Sequence, residues 1–183
     1  MGAIYEFEKE KMIIGVIYRD PDIYDEAIKI LTEKFGPIDM ESERFSFSRE
    51  FSTYYDGELG GEGERVILSF ERCVDASRQA EIKTFTNSVE ASFTKNGGRL
   101  INLDPGFLNH GRLMLATTKE TGFRIPLADG IYTELTLFWA RGGWQRFPWT
   151  YRDYQSERVQ KFLTEVRRKY LSQRKALKGK DGE

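Results

Sequence analysis

One stretch of this chain leaves little choice of environment: Met12-Ile13-Ile14-Gly15-Val16-Ile17-Tyr18, seven residues without a charge and rich in β-branched side chains. A strand with no polar alternation has no side for water, so it is expected inside a sheet, buried on both faces. A helix start follows at once. Asp20 is placed as an N-cap and Pro21 at the first helical position, where its missing N–H costs nothing. Tyr24, Ala27, Ile28, Leu31 and Phe35 recur at helical spacing until Gly36-Pro37, where glycine can take the left-handed conformation that ends a helix.

The period then changes. Phe45, Phe47, Arg49 and Phe51 alternate with Ser46, Ser48 and Glu50, which predicts a strand between Arg44 and Tyr55 with one covered face. Asp56 to Glu64 holds four glycines and four acids and reads as an exposed loop. Arg65 to Phe70 is the next strand. Asp75 caps a second helix with the stripe Ala80, Ile82, Phe85, Val89 and Phe93, closed by Asn96-Gly97-Gly98. Arg99 to Leu103 is a fourth strand, ended by a turn at Asp104-Pro105-Gly106.

The order β-α-β-β-α-β is that of a ferredoxin-like core, in which two helices cover one face of an antiparallel sheet. Leu113–Thr118, Phe123–Leu127 and Ile131–Ala140 read as additional antiparallel strands. Asp153 or Ser156 opens a C-terminal helix carrying Val159, Phe162, Leu163, Val166 and Tyr170. The expected fold class is therefore α+β, a ferredoxin-like core with extra strands and a C-terminal helix. No repeat or linker divides the chain, so residues 1–183 read as a single domain. Its core spans about 11–172, and a basic polar tail of about 173–183 is expected to fray.

Composition works mainly by exclusion. Twenty-five aromatic residues spread along the chain rule out low-complexity disorder, and a single cysteine, Cys73, rules out a disulfide framework. No apolar run approaches the ~20 residues of a membrane helix. With no signal-like start, the expected location is the cytoplasm. No P-loop, dinucleotide-binding glycine motif, nucleophile elbow or zinc-helix motif is present. No metal site is expected from one histidine and one cysteine, and no cofactor is implied. The net charge of -1 conceals an uneven distribution, because ten basic and five acidic residues lie from Arg152 onward. A basic terminal helix can meet nucleic acid, but it can equally dock on an acidic body, and nucleic acid is not the expected partner.

Two segments concentrate polar chemistry. Between Asn102 and Glu134, the residues Asp104, His110, Arg124 and Asp129 are punctuated by Pro105, Gly106, Gly111, Gly122 and Gly130. Strand ends and turns of this kind are where sites tend to be built. His110 carries the only imidazole, so Asp104, His110 and Glu134 are the candidate catalytic groups for acid/base work. The plainer alternative is that Asn102 and Asp104 organise a turn and His110 is a loop residue. Glu134, on an alternating strand among aromatics, is either paired with a cation such as Arg124 or Arg141 or lies in a polar cavity, the plainer alternative being a solvated sheet face. From Phe138 to Tyr154 there are seven aromatics in 17 residues, interleaved with Arg141, Arg146 and Arg152. Such a cluster either holds a flat ligand or partner, or packs a turn between sheet and helix.

The strings Asn102-Leu-Asp-Pro-Gly-Phe-Leu108, Gly130-Ile-Tyr-Thr-Glu-Leu-Thr-Leu137 and Pro148-Trp-Thr-Tyr-Arg-Asp-Tyr154 resemble the bacterial domain-of-unknown-function family numbered 4416. So do Tyr54-Tyr-Asp-Gly-Glu-Leu-Gly60 and Ile82–Glu90, and the likeness covers nearly the whole chain. Arg152 stands where the family pattern has proline. The resemblance implies bacterial, single-domain membership and no catalytic residues. Some members carry a GTP-binding label. Without a P-loop, phosphates here would need another cradle, with Gly97-Gly98-Arg99 a candidate by composition and Asp56–Glu64 too acidic to serve.

The leading expectation is a binding module for a small polar or anionic ligand, with nucleotides among the candidates, built from Asn102, Asp104, Arg124, Glu134 and Arg141. The alternatives are an enzyme using Asp104, His110 and Glu134, and an interaction module using the 138–154 aromatic segment.

Overall fold

In the computed structural model, which describes residues 4–95 and 97–178, the charge-free run lies at the middle of a sheet. In chain order, β1 is Glu10–Tyr18, α1 is Pro21–Phe35, β2 is Ile38–Glu41, β3 is Phe45–Ser46, α2 is Phe47–Glu50 and α3 is Asp56–Leu59. Next come β4 (Glu64–Val74), α4 (Gln79–Ser92), β5 (Thr94–Lys95), β6 (Gly98–Arg99), β7 (Ile101–Leu108) and β8 (Arg112–Thr117). The chain continues with β9 (Ile125–Pro126), β10 (Tyr132–Ala140), β11 (Gly143–Arg146) and α5 (Glu157–Lys178). The large sheet has the order β11-β10-β8-β7-β1-β4-β2, with β3 attached to β4, β9 to β10, and all pairs antiparallel.

Every residue of β1 is buried because both faces are covered. Met12, Ile14, Val16 and Tyr18 meet α1 and α4 through Tyr24, Ala27, Leu31, Ile82 and Val89. Ile13, with Ile67, Leu113, Leu115 and Leu137, meets α5 through Val159, Leu163, Val166 and Tyr170. The result is a mixed α/β molecule with a large antiparallel sheet and a C-terminal helix. The buried strand begins two residues earlier than its apolar run, and both added residues are charged. Lys11 is ion-paired with Asp39, which also binds Lys169 of α5 at 3.1 Å. Glu10 takes hydrogen bonds from Arg112 at 2.6 Å and Asn109 at 2.9 Å.

Four local expectations are corrected. The alternation from Arg44 to Tyr55 is not a long strand, because β3 ends after two residues and Ser46 Oγ caps α2 by accepting the Arg49 N–H. Serine's capping bond outcompetes the two-residue period. Asp56–Glu64 is not an open loop: α3 buries Leu59, and Ser48 ties Asp56 at 2.5 Å and the Gly63 N–H at 2.7 Å. The helix expected to fray from Arg174 continues to Lys178, with Arg174 bonded to Glu8 at 2.8 Å; the rest of the tail, 179–183, lies outside the described residues.

The most consequential correction is at Asp104-Pro105-Gly106, which is strand and not turn. Its ladder with β1 is unbroken from Lys11↔Leu108 to Tyr18↔Ile101. The ladder with β8 is different: it covers only Gly106–Leu108 and stops at Pro105. Proline has no N–H to donate. Gly106 allows the close approach just beyond it, since a Cβ there would sit 2.6 Å from the Met114 carbonyl oxygen. From Ile101 to Pro105 the outer edge of β7 therefore has no strand partner. Side chains of α4 replace one: Glu90 accepts the Leu103 N–H at 2.7 Å and Lys83 donates to the Leu103 carbonyl at 2.8 Å.

Basic residues of α5 spend their charge on the acidic body, with Arg158 on Glu50, Lys169 on Asp39 and Arg174 on Glu8. Arg167 lies 4.0 Å from the centroid of Trp139.

Glu90→Ala strips the Leu103 N–H of its acceptor and is expected to cost about 3 kcal/mol in urea unfolding, with Glu90→Gln, which keeps a carbonyl acceptor, recovering part of it. Equal stability of Glu90→Ala and wild type would contradict the capping role.

Candidate functional site

Where β7 and β8 part, a cleft of about 650 Å³ opens. Its floor follows from the register of β1. Ile17 pairs with Arg65 on one side and Asn102 on the other, and Gly15 pairs with Asp104, so these side chains share the sheet face that α5 covers further along. Arg65 is 2 % exposed. Its guanidinium lies 3.2 Å from Asp153 and 3.5 Å from Asp104, donates to Tyr154 Oη at 3.1 Å, and stacks on the Tyr154 ring. Burial disfavours its charge, but Asp153, Tyr154 and Asp104 outweigh that and hold its pKa above the usual arginine value. Gly15 makes this packing sterically feasible: a Cβ there would lie 2.5 Å from Arg65 Nη2.

Asp104 is the carboxylate that the floor presents, with 27 % of its side chain exposed. It accepts from Asn102 Nδ2 at 2.7 Å and lies 3.6 Å from Lys83. Lys83 belongs to α4, on the other face, and reaches Asp104 past the unpaired edge of β7. Its neighbour on the helix, Asn87, also lines the cleft, as does Arg99, which is held by Glu58 at 2.8 Å and Glu90 at 2.6 Å.

Glu134 enters from β10, opposite Leu115. It is 1 % exposed, and its Oε2 accepts from Arg124 Nε at 2.8 Å. Arg124 also donates to Tyr151 Oη at 2.9 Å and to the Lys119 carbonyl at 2.7 Å, fastening the β8–β9 connection to the cleft wall. Burial raises the Glu134 pKa against the opposing pull of Arg124. Burial likewise raises that of Asp153 against Arg65. Glu134 Oε1, Asp153 Oδ2 and Arg65 Nε are buried without a hydrogen-bond partner. Among the described residues seven buried side-chain atoms lack a hydrogen bond, and these three of them belong to residues lining this cleft.

The walls are aromatic. Phe47, Phe51, Tyr54 and Tyr55 come from the α2–α3 segment that sequence alternation assigned to a strand, and Tyr151 and Tyr154 come from the approach to α5. Burial pushes the Tyr151 phenol up to about 12 and that of Tyr55 higher still. Lys119 and Arg152 stand exposed on the lining.

Of the residues expected at a site, Asn102, Asp104 and Glu134 come together here. Arg124 acts behind the wall, holding Glu134. His110 does not join them: it is exposed in the β7–β8 turn, at the opposite end of β7 from Asn102, with its carbonyl bonded to Arg167. That separation removes it from chemistry with Asp104 and Glu134. Arg141 is also elsewhere, exposed in the β10–β11 turn at φ 53°. The aromatic segment divides. Trp144 and Tyr154 are buried, whereas Phe147 and Trp149 stack face to face at 4.9 Å with Phe123 beyond them at 4.7 Å. Among the described residues no group of three or more His, Cys, Asp or Glu could hold a metal ion.

Sequence reasoning passed over Arg65, Lys83 and Asp153. Arg65 looked like the polar first residue of an apolar strand, and its one available signal was Gly15, unexplained within a strand; Arg65 pairs with Ile17, two residues from Gly15, and its side chain reaches back over that glycine.

The family model described as a domain of unknown function (DUF4416) matches residues 8–170, and the chain belongs to that family. No curated protein and no solved structure is significantly similar to it.

Glu134 binds more protons folded than unfolded between its ordinary 4.5 and its raised folded-state pKa. Its contribution to stability is therefore full below that range and is lost as pH rises through it. The stability difference between wild type and Glu134→Gln, from urea unfolding between about pH 4 and pH 8, is expected to fall with rising pH and then level off. A flat difference contradicts the raised pKa. Gly15→Ala must displace the pinned Arg65 guanidinium and is expected to cost about 2 kcal/mol by the same measurement; a neutral result would show that Arg65 is free to move.

Proposed function

We propose that this chain binds a small polar, anionic ligand in the cleft between β7 and β8, with nucleotides among the ligands that fit. The observation that carries the reading is an aromatic-walled cleft lined by residues with buried polar atoms that make no hydrogen bond, on Arg65, Glu134 and Asp153, of which Asp153 Oδ2 keeps an ion-pair contact with Arg65 at 3.2 Å. A ligand's own polar groups would give those atoms partners, and a volume of about 650 Å³ suits a drug-sized molecule. A second reading, acid/base catalysis by Asp104 and Glu134 without His110, is favoured by the presence of both carboxylates on the same cleft.

We also read β1, α1, β2, β4, α4 and β7 as a ferredoxin-like core within one domain spanning 1–183. The strand order β7-β1-β4-β2, with α1 and α4 on one face, supports this. A cytoplasmic setting is in keeping with the single, half-buried Cys73, whose thiol burial pushes up in pKa.

A thermal-shift screen of nucleotides, sugar phosphates, aromatic carboxylates and divalent metals tests the binding reading. A ligand specific for the folded state adds about 2.7 kcal/mol at a hundredfold excess over Kd, and Asp104→Asn is expected to reduce that shift. The absence of a shift with every compound would sink the reading.

A further inference from the structure

We propose that the ligand of this cleft lies in one orientation, hydrogen-bond donors inward and an oxyanion group outward at Lys119 and Arg152, so that its class is a planar N–H-bearing ring carrying a phosphate or carboxylate. The inference rests on the binding reading above and adds to it where each end of the ligand goes.

The arrangement follows from which charges are already engaged. An incoming anion would be expected to seek the buried arginine, but Arg65 is held by Asp104 and Asp153. Lys83 is likewise held by Asp104 and Glu90, and Arg99 by Glu58 and Glu90. An oxyanion at any of these would crowd a carboxylate already in place, at a cost that rises with burial. Lys119 and Arg152 differ. Among the described residues neither has a carboxylate partner; the Lys119 ammonium rests on Tyr54, 2.9 Å from its hydroxyl and 4.5 Å from its ring centroid. Exposed cations without a partner lose little water when an oxyanion arrives, and charge-assisted bonds to phosphate or carboxylate are the strong kind.

The deep end has the opposite demand. Of its three buried atoms without a hydrogen bond, Glu134 Oε1 and Asp153 Oδ2 are carboxylate oxygens, which only accept, but Asp153 Oδ2 already lies 3.2 Å from Arg65 Nη2. The open demand is that of Glu134 Oε1, and it calls for an N–H or O–H donor. The lining also carries the rings of Tyr54 and Tyr151, 61 % and 41 % exposed, whose apolar surface can meet a flat group. A donor within, a ring on the aromatic lining and an anion at the rim make one ligand of defined polarity.

Isothermal titration calorimetry on the full chain tests this with three kinds of probe. Charged probes are adenosine monophosphate, guanosine monophosphate and 2-aminobenzoate. Their uncharged counterparts are adenosine, guanosine and 2-aminobenzamide, and the counterparts lacking the amino donor are purine riboside monophosphate and benzoate. Inorganic phosphate is the ring-free control. At least one charged probe is expected to bind about tenfold or more tightly than its uncharged and its donor-free counterparts and than phosphate. Which charged probe wins separates phosphate from carboxylate as the source of the oxyanion. In the double variant Lys119→Ala/Arg152→Ala, whose substituted residues are both exposed, the advantage of charge is expected to vanish while uncharged binding changes less than about twofold. If charged and uncharged probes bind alike, or the double variant keeps the gap, the rim assignment is overturned with the binding reading intact. If donor-free probes or phosphate bind as tightly, the inward donors or the ring are overturned. If no probe binds and the thermal screen is also silent, both the inference and the binding reading fall.

Discussion

The outer edge of β7 is the constraint from which the site follows. A strand in the middle of a sheet must satisfy backbone groups on both sides, and β7 does so with β1 along its whole length. On the β8 side it cannot, because Pro105 has no N–H and the ladder ends there. Glu90 and Lys83, seven residues apart on α4, supply the missing acceptor and donor at Leu103. With a helix doing part of a strand's work, β8 is free to diverge, and the space it leaves reaches from the α4 face to the α5 face. Lys83 and Asn87 line the same cleft as Arg65 and Glu134 for this reason.

That opening is lined by charges arranged in layers. Deep groups are paired with one another, the Arg65–Asp104–Asp153 cluster being the densest. Removing one member would strand the others in low dielectric, so the cluster is costly to break and holds its geometry. Further out, pairing gives way to the solvated Lys119 and Arg152. The remainder of the molecule is built to the opposite rule: α5 buries its apolar stripe and neutralises several of its basic residues against Glu8, Asp39 and Glu50. Its basic character is thus substantially absorbed by its own fold.

Much of the architecture was legible. The charge-free run announced a doubly covered strand, Asp20-Pro21 announced α1, and the stripes of α4 and α5 read correctly. What failed was local competition. Ser46 and Ser48 looked like the polar half of an alternating strand, yet one caps a helix and the other ties α3. Asp104-Pro105-Gly106 has the composition of a turn, and only the pairing with β1 shows that the proline ends a ladder instead of a strand. At the site, Asn102 and Asp104 were found as polar residues at an expected strand end and turn, and Glu134 as a carboxylate among the aromatics of a strand. His110 and Arg141 were chosen for chemistry alone, and sequence distance says nothing of where hairpin turns point. Arg65 could not be found, since its partners lie on β7 and before α5, 39 and 88 residues away in the chain.

The central proposal is that the gap beside β7 is a ligand-binding site. Amide chemical shifts recorded by NMR, as a probe that stabilises the protein is titrated in, test it most directly. Saturable changes clustered at Asn102–Asp104, Thr117–Lys119 and Thr150–Tyr154 are the predicted result. Changes confined to the Phe123–Trp149 stack or to the His110 turn, with those three segments unmoved, would contradict it.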